Sequence, residues 1–177
     1  MNMRTLLIII FSGLMAACGS IDVKTYAQNN PKFNLAEYFN GTLTAHGIVK
    51  NRGGKVIRHF NVLLEGTWDE QGRGELYEEF LFDDGEAQTR TWIFEPREDG
   101  TFRATANDVV GEATPMSSGN ALFMEYVLTV PYKNSTINVT VDDRMYLTND
   151  TVLINESTLK KFGIRVGEVV LTIVKQP

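Results

Sequence analysis

Val56-Ile57-Arg58-His59-Phe60-Asn61-Val62-Leu63-Leu64-Glu65-Gly66-Thr67-Trp68 is the stretch whose reading decides the fold. Val56, Arg58, Phe60, Val62, Leu64 and Trp68 recur at every second position and so share one face. A period of two is the signature of a strand with one side buried. Asp69-Glu70-Gln71-Gly72-Arg73-Gly74 follows as a turn, because its glycines admit the positive φ that tight turns need. Upstream, residues 41–50 read as a strand and Asn51-Arg52-Gly53-Gly54 as the loop joining it to the decisive one.

The same grammar continues downstream. Leu76, Phe80 and Phe82 share a face, then Gln88, Arg90, Trp92 and Phe94, with Asp83-Asp84-Gly85 between the two runs. Leu122, Met124, Tyr126, Leu128 and Val130 form another such face. Further strands are expected over residues 101–107, 135–141, 145–147, 151–157 and 164–175. Many short strands with turns between them indicate an all-β fold. Consecutive hairpins without long crossovers favour an antiparallel up-and-down β-barrel, since closure removes exposed strand edges. Two short helical turns are expected beside it, one within residues 33–39 and one over 157–162 ended by Gly163.

The first residues carry an address. Arg4 precedes the apolar run Leu6-Leu7-Ile8-Ile9-Ile10-Phe11, and Leu14-Met15-Ala16-Ala17 leads to Cys18, the only cysteine. A short basic region, an apolar stretch and small residues before a cut describe a secretory signal peptide. Cys18 followed by Gly19-Ser20 resembles a bacterial lipobox, so residues 1–17 are expected to be removed and Cys18 lipidated. Gly19 after the cysteine lacks the aspartate that favours inner-membrane retention, which points to the periplasmic face of the outer membrane. Residues 18–32 are expected as a polar tether and residues 33–177 as one domain. The run before Cys18 is too short to span a bilayer, which takes ~20 apolar residues.

Composition narrows the chemistry. Loss of Arg4 with the signal takes the formal charge from −5 to −6. No basic stripe suggests nucleic acid, and the net sign argues against electrostatic binding to anionic headgroups. His46 and His59 lack metal-ligand spacing, and no second cysteine exists to join them, so no metal or cofactor is expected. No G-x-S-x-G elbow or phosphate loop is present. Asp142 and Asp143 are adjacent in a strand and so point to opposite faces, one toward water and the other toward an arginine or a turn amide. Arg90 and Trp92 share a face. If that face is inward, Arg90 is a buried cation needing a carboxylate partner or a ligand's acidic head; the alternative places it at the rim, stacked on Trp92 or paired with a glutamate of the neighbouring strand such as Glu79.

Several segments together carry a family likeness: Ala106-Asn107-Asp108-Val109-Val110-Gly111-Glu112-Ala113, Gly119-Asn120-Ala121-Leu122, Asp142-Asp143-Arg144-Met145-Tyr146-Leu147 and Lys161-Phe162-Gly163-Ile164-Arg165-Val166-Gly167-Glu168-Val169. They resemble the bacterial lipoproteins grouped as domain of unknown function 3833. The resemblance implies a lipocalin-like barrel, a Gram-negative envelope location and a link to lipid handling. The lipocalin Gly-x-Trp start is not met, since Gly41-Thr42-Leu43 has leucine at the tryptophan place, so no lipocalin binding residue carries over.

The expectation is a lipid-anchored binding module for a fatty acyl or other apolar ligand, with Arg90, Trp92, Tyr126 and Tyr146 facing the lumen and Arg90 as counter-ion to the head. Two alternatives are a side-chain-filled barrel acting on a protein partner through residues 109–118, and an enzyme acting on modified fatty acids.

Overall fold

The computed structural model describes residues 21–177, so the expected signal peptide and Cys18 lie outside the described residues. Eleven strands form one antiparallel sheet: β1 (Gly41–Asn51), β2 (Val56–Trp68), β3 (Gly74–Phe82), β4 (Ala87–Pro96), β5 (Phe102–Ala106), β6 (Val109–Val110), β7 (Met116–Ser118), β8 (Ala121–Tyr132), β9 (Ser135–Leu147), β10 (Val152–Lys161) and β11 (Ile164–Lys175). Their order is β5-β4-β3-β2-β1-β11-β10-β9-β8-β6, with β7 also on β8.

That order forces curvature. β5 and β6 stand at opposite ends of it, yet only Asn107 and Asp108 separate them. Strands about 4.8 Å apart would hold the two ends of a flat sheet roughly 40 Å from each other. Three residues reach only ~11 Å. The sheet therefore curls until its ends meet, where Ala104 and Ala113 exchange two backbone hydrogen bonds of 2.8 Å. Outside this seam Glu112 accepts from Arg97 and Arg103, both at 2.6 Å. Residues 109–118 are thus committed to closing the wall.

One end of the barrel is sealed by a short helix, α1 (Leu35–Phe39), where the sequence led us to expect a helical turn. The Asn34 side chain caps it by accepting from the Glu37 amide at 3.2 Å, which satisfies one free N–H of the first turn. Leu35, Tyr38 and Phe39 are buried among Leu43, Leu147 and Ile173. The Tyr38 hydroxyl donates to the Ile173 carbonyl at 3.0 Å, which fastens the helix to β11. Burial raises its pKa well above the ordinary phenol value. Gly66 is required beneath it, because a Cβ there would collide with the Phe39 carbonyl.

Two expectations are corrected. Residues 157–162 are not helical: Ser157 and Leu159 continue the alternation of β10 and pair with both β9 and β11. Phe162 and Gly163 both have positive φ, 52° and 75°, so Gly163 serves a two-residue hairpin turn rather than a helix cap. The expected tether is pinned to the wall at one short turn, while residues 27–30 stay exposed. Val23–Tyr26 form a 3-10 turn whose Val23 is buried against Ala121 and Phe123, and Phe33 donates its amide to Gly119. Apolar Val23 and Tyr26 contribute more by burial than a free arm gains in entropy. Among the described residues no helix is long and apolar enough to cross a membrane.

Candidate functional site

The two ends of the lumen differ. Near α1 the inward side chains Leu43, Leu64, Leu76, Leu153 and Ile173 are buried. At the other end, inward-facing Phe80, Phe82, Leu128, Val130, Leu159 and Val169 are only half-buried against the core. These side chains pack on the core and keep part of their surface in water, so the open end of the barrel, the cup, is apolar over a sealed base.

Among the apolar layers lies a band of polar groups. Arg90 on β4 points inward, and Asp108 grips it in a fork: Nε donates to Oδ1 at 2.9 Å and Nη2 to Oδ2 at 2.8 Å. Glu78 pairs with Arg90 across β3 and β4, its Oε2 lying 3.6 Å from Nη1. That is an ion contact, too long for a hydrogen bond, and Glu78 Oε2 is buried without a hydrogen-bond partner. On the facing strands Asp143 accepts from the Ser157 hydroxyl at 2.7 Å and from the Asn155 amide. Trp92 meets Tyr126 edge to face at a ring separation of 5.2 Å.

Three carboxylates thus surround one guanidinium. Burial opposes charge on Arg90, but the Asp108 hydrogen bonds and the nearness of Glu78 raise its pKa above the ordinary value, so it stays protonated. Burial pushes the Glu78 carboxyl up to about 7, helped by Asp143 and Asp108 and opposed by Arg90. Burial also raises Asp143, while the Asn155 and Ser157 bonds pull it back. The Tyr126 hydroxyl is raised, by burial first and by Asp143 next, so it remains a neutral donor. The band holds excess negative capacity and an unmet acceptor at Glu78.

Of the expected lumen residues, Arg90, Trp92 and Tyr126 come together. Tyr146 does not: it lies on the outer face of β9, against Tyr26 and Phe123. Its neighbours Met145 and Leu147 take the inward positions, so strand parity sends it out. Arg90 is not a free counter-ion, because Asp108 and Glu78 already engage it. The expected Glu79 is not its partner; directly opposite Arg90 stands Glu78. Asp142 and Asp143 do face opposite ways, with the partner types exchanged. The outward Asp142 takes Arg144 at 3.0 Å and Lys160 at 3.0 Å, and the inward Asp143 takes an amide and a hydroxyl.

Glu78, Asn155 and Ser157 join Asp143 in this band, and strand parity makes all four legible in the sequence. Each is a polar residue at the inward parity of its strand: Glu78 between Leu76 and Phe80, Asp143 between Val141 and Met145, Asn155 and Ser157 between Leu153 and Leu159. A groove of about 440 Å³ on the outer wall, lined by His46, His59, Asn61 and Asp83, is separate from this band. There His46 Nδ1 lies 2.7 Å from Asn61 Oδ1, and His59 Nδ1 lies 3.2 Å from Asp83.

Residues 12–175 match the family described as protein of unknown function (DUF3833). The chain belongs to that family. No curated protein matches it. Among solved structures, a protein of unknown function from the DUF3598 family of Nostoc punctiforme PCC 73102 is similar at a TM-score of 0.58 and 13% identity, over 90% of this chain and 53% of that one. This DUF3833 chain therefore spans about half the length of that protein. An S-type phycobiliprotein lyase from Guillardia theta is similar at 0.50 and 11% identity, over 89% of this chain and 99% of the lyase. An odorant-binding protein gives 0.35 at 14% identity, over 83% and 77% of the two chains. At these identities the first two likenesses show a shared fold for this DUF3833 member, whose barrel is sequential and antiparallel.

Proposed function

We propose that this barrel carries one fatty acyl or other apolar ligand with a polar head, and that a lipid on Cys18 holds it at the periplasmic face of the outer membrane. The observation that carries the reading is the cup, with half-exposed apolar side chains above a buried polar band. The tail would lie against Phe80, Phe82, Leu128 and Leu159, where each methylene removed from water contributes about 0.8 kcal/mol. The head would meet Glu78, whose unpartnered oxygen asks for a donor: a hydroxyl, an amide N–H or a protonated acid. An ionised carboxylate head is disfavoured, since Arg90 is taken and three acids surround it.

Titration with a long-chain fluorescent acyl alcohol tests this. Phe82→Arg and Leu128→Arg place a charge in the cup and are expected to weaken binding about tenfold or more, the worth of two buried methylenes. Ile57→Arg, on the exposed outer face, is the control and should bind as the parent does. Equal affinity in all four proteins would mean adsorption to the surface and would refute the cup. A second reading, catalysis on a bound acyl chain, is favoured by one observation, the near-neutral pKa of Glu78 in a buried polar band beside Arg90. Glu78→Gln separates the two, because a carrier keeps its ligand and an enzyme keeps it unturned.

A further inference from the structure

The open end of the barrel carries an unusual rim. Its hairpins β10–β11 and β8–β9 are neighbours in the sheet, and each tip presents an aromatic side chain to solvent. Phe162 is 91% exposed and Tyr132 is 52% exposed, with Ile164 at 55% beside Phe162. A cation stands over each ring: Lys161 Nζ is 4.8 Å from the Phe162 centroid, and Lys133 Nζ is 5.4 Å from that of Tyr132. Phe162 also occupies a left-handed position, φ 52°, where turn chemistry favours asparagine or glycine. A bulky ring there gains no packing and strains the backbone, so neither folding nor solubility accounts for it.

We infer that these two hairpin tips dock the mouth of the barrel onto a membrane surface rich in anionic lipid. Aromatic rings with nearby lysines suit the interface between headgroups and acyl chains, where the ring enters the boundary and the cation reaches a phosphate. Charge selects the lipid. The chain as a whole is acidic at −5, yet Lys133 and Lys161 stand at these tips, and Arg52 and Lys55 follow on the adjoining β1–β2 hairpin; Lys160 and Arg165 are also there, paired with Asp142 and Glu168. Net charge therefore misleads here, and its distribution along the barrel decides. The acids Asp83, Asp84 and Glu86 sit apart on the β3–β4 hairpin, where Arg58 pairs with two of them. The N-terminal 3-10 turn rests on the outer face of β8 and β9 at their sealed end, and the tips stand at the opposite end of the same strands. The inference stands on the rim alone and does not need the cup to be occupied.

The test uses the full chain carrying Cys18→Ser, with and without Phe162→Trp, added to vesicles containing brominated lipid. Trp92 is buried and Trp68 half-buried, so quenching gained by Phe162→Trp over its parent reports the tip. Vesicles with about one-third phosphatidylglycerol should blue-shift and quench the new tryptophan, whereas phosphatidylcholine alone should not. Adding Lys133→Glu, Lys161→Glu and Arg165→Glu, all at exposed tips, should weaken that binding on the order of 100-fold. An unchanged emission at position 162, or equal quenching on both vesicle types, would overturn the inference. Unaltered circular dichroism checks that each variant is folded.

Discussion

Glu78→Gln is expected to make the protein more stable above neutral pH, although it removes a partner of Arg90. Glu78 has an ordinary carboxyl in the unfolded chain and one pushed up to about 7 in the barrel. Below about pH 4.5 both states hold the proton, and the group costs the fold nothing. Between 4.5 and 7 the unfolded chain loses its proton first, so stability falls as pH rises. Above 7 the loss is complete at roughly 3 kcal/mol. Glutamine keeps the shape without the charge and escapes that loss. Urea unfolding should therefore show wild type and Glu78→Gln alike near pH 4 and separated by up to ~3 kcal/mol near pH 8.5. Parallel pH profiles would contradict the protonation state assigned to the buried acid.

The second large effect has the opposite sign. Arg90→Met retains most of the aliphatic stem beside Phe80 and Trp92 but removes the only cation from a band of three carboxylates. Asp108 and Glu78 are then left with buried charge and no partner, a change that typically costs about 3–5 kcal/mol. The deficit should shrink on acidification, because Glu78 and Asp143, both raised by burial, take up protons first. Combining Arg90→Met with Glu78→Gln should recover part of it, since one of the stranded charges is gone. A single variant within about 1 kcal/mol of wild type at pH 8 would mean that the band is solvated and the ion pair unimportant.

The barrel was legible in the sequence because strand parity is a strong signal. From Phe60 to Thr67 the residues of β2 alternate buried and exposed without interruption, and the turns on both sides are rich in glycine. The 157–162 segment was misread because a glycine after a short mixed run suits a helix cap and a two-residue hairpin equally. Only the ladder to β9 and β11 distinguishes them. The polar band was half legible. Parity exposes Glu78, Asp143, Asn155 and Ser157, and would have turned Tyr146 outward had Met145 and Leu147 been read first. Asp108 could not be found that way. It lies in the connection between the first and last strands of the sheet order, and it reaches Arg90 only because the sheet closes on itself. The docked N-terminal arm was equally hidden, since Val23 and Tyr26 show no period and find their partners only on the finished wall.

Closure also links structure to use. The backbone bridge at Ala104 and Ala113 closes the wall, and Asp108, in the connection between β5 and β6, holds Arg90 and accepts from the Thr129 amide of β8 at 2.8 Å. The polar band therefore contributes to barrel closure as well as to the chemistry of the cup. This dual role explains why a buried ion pair, weak by itself as a source of stability, is placed next to the seam.

The carrier reading is tested most directly by mass spectrometry of wild-type protein purified from the membranes of its own host. Under denaturing conditions the mass should report the chain beginning at Cys18 with its attached lipid. Under native conditions a further mass of one noncovalent amphiphile per chain should appear, and it should be absent from Leu128→Arg. Identical native and denatured masses in wild type would contradict the account, leaving a barrel that carries nothing.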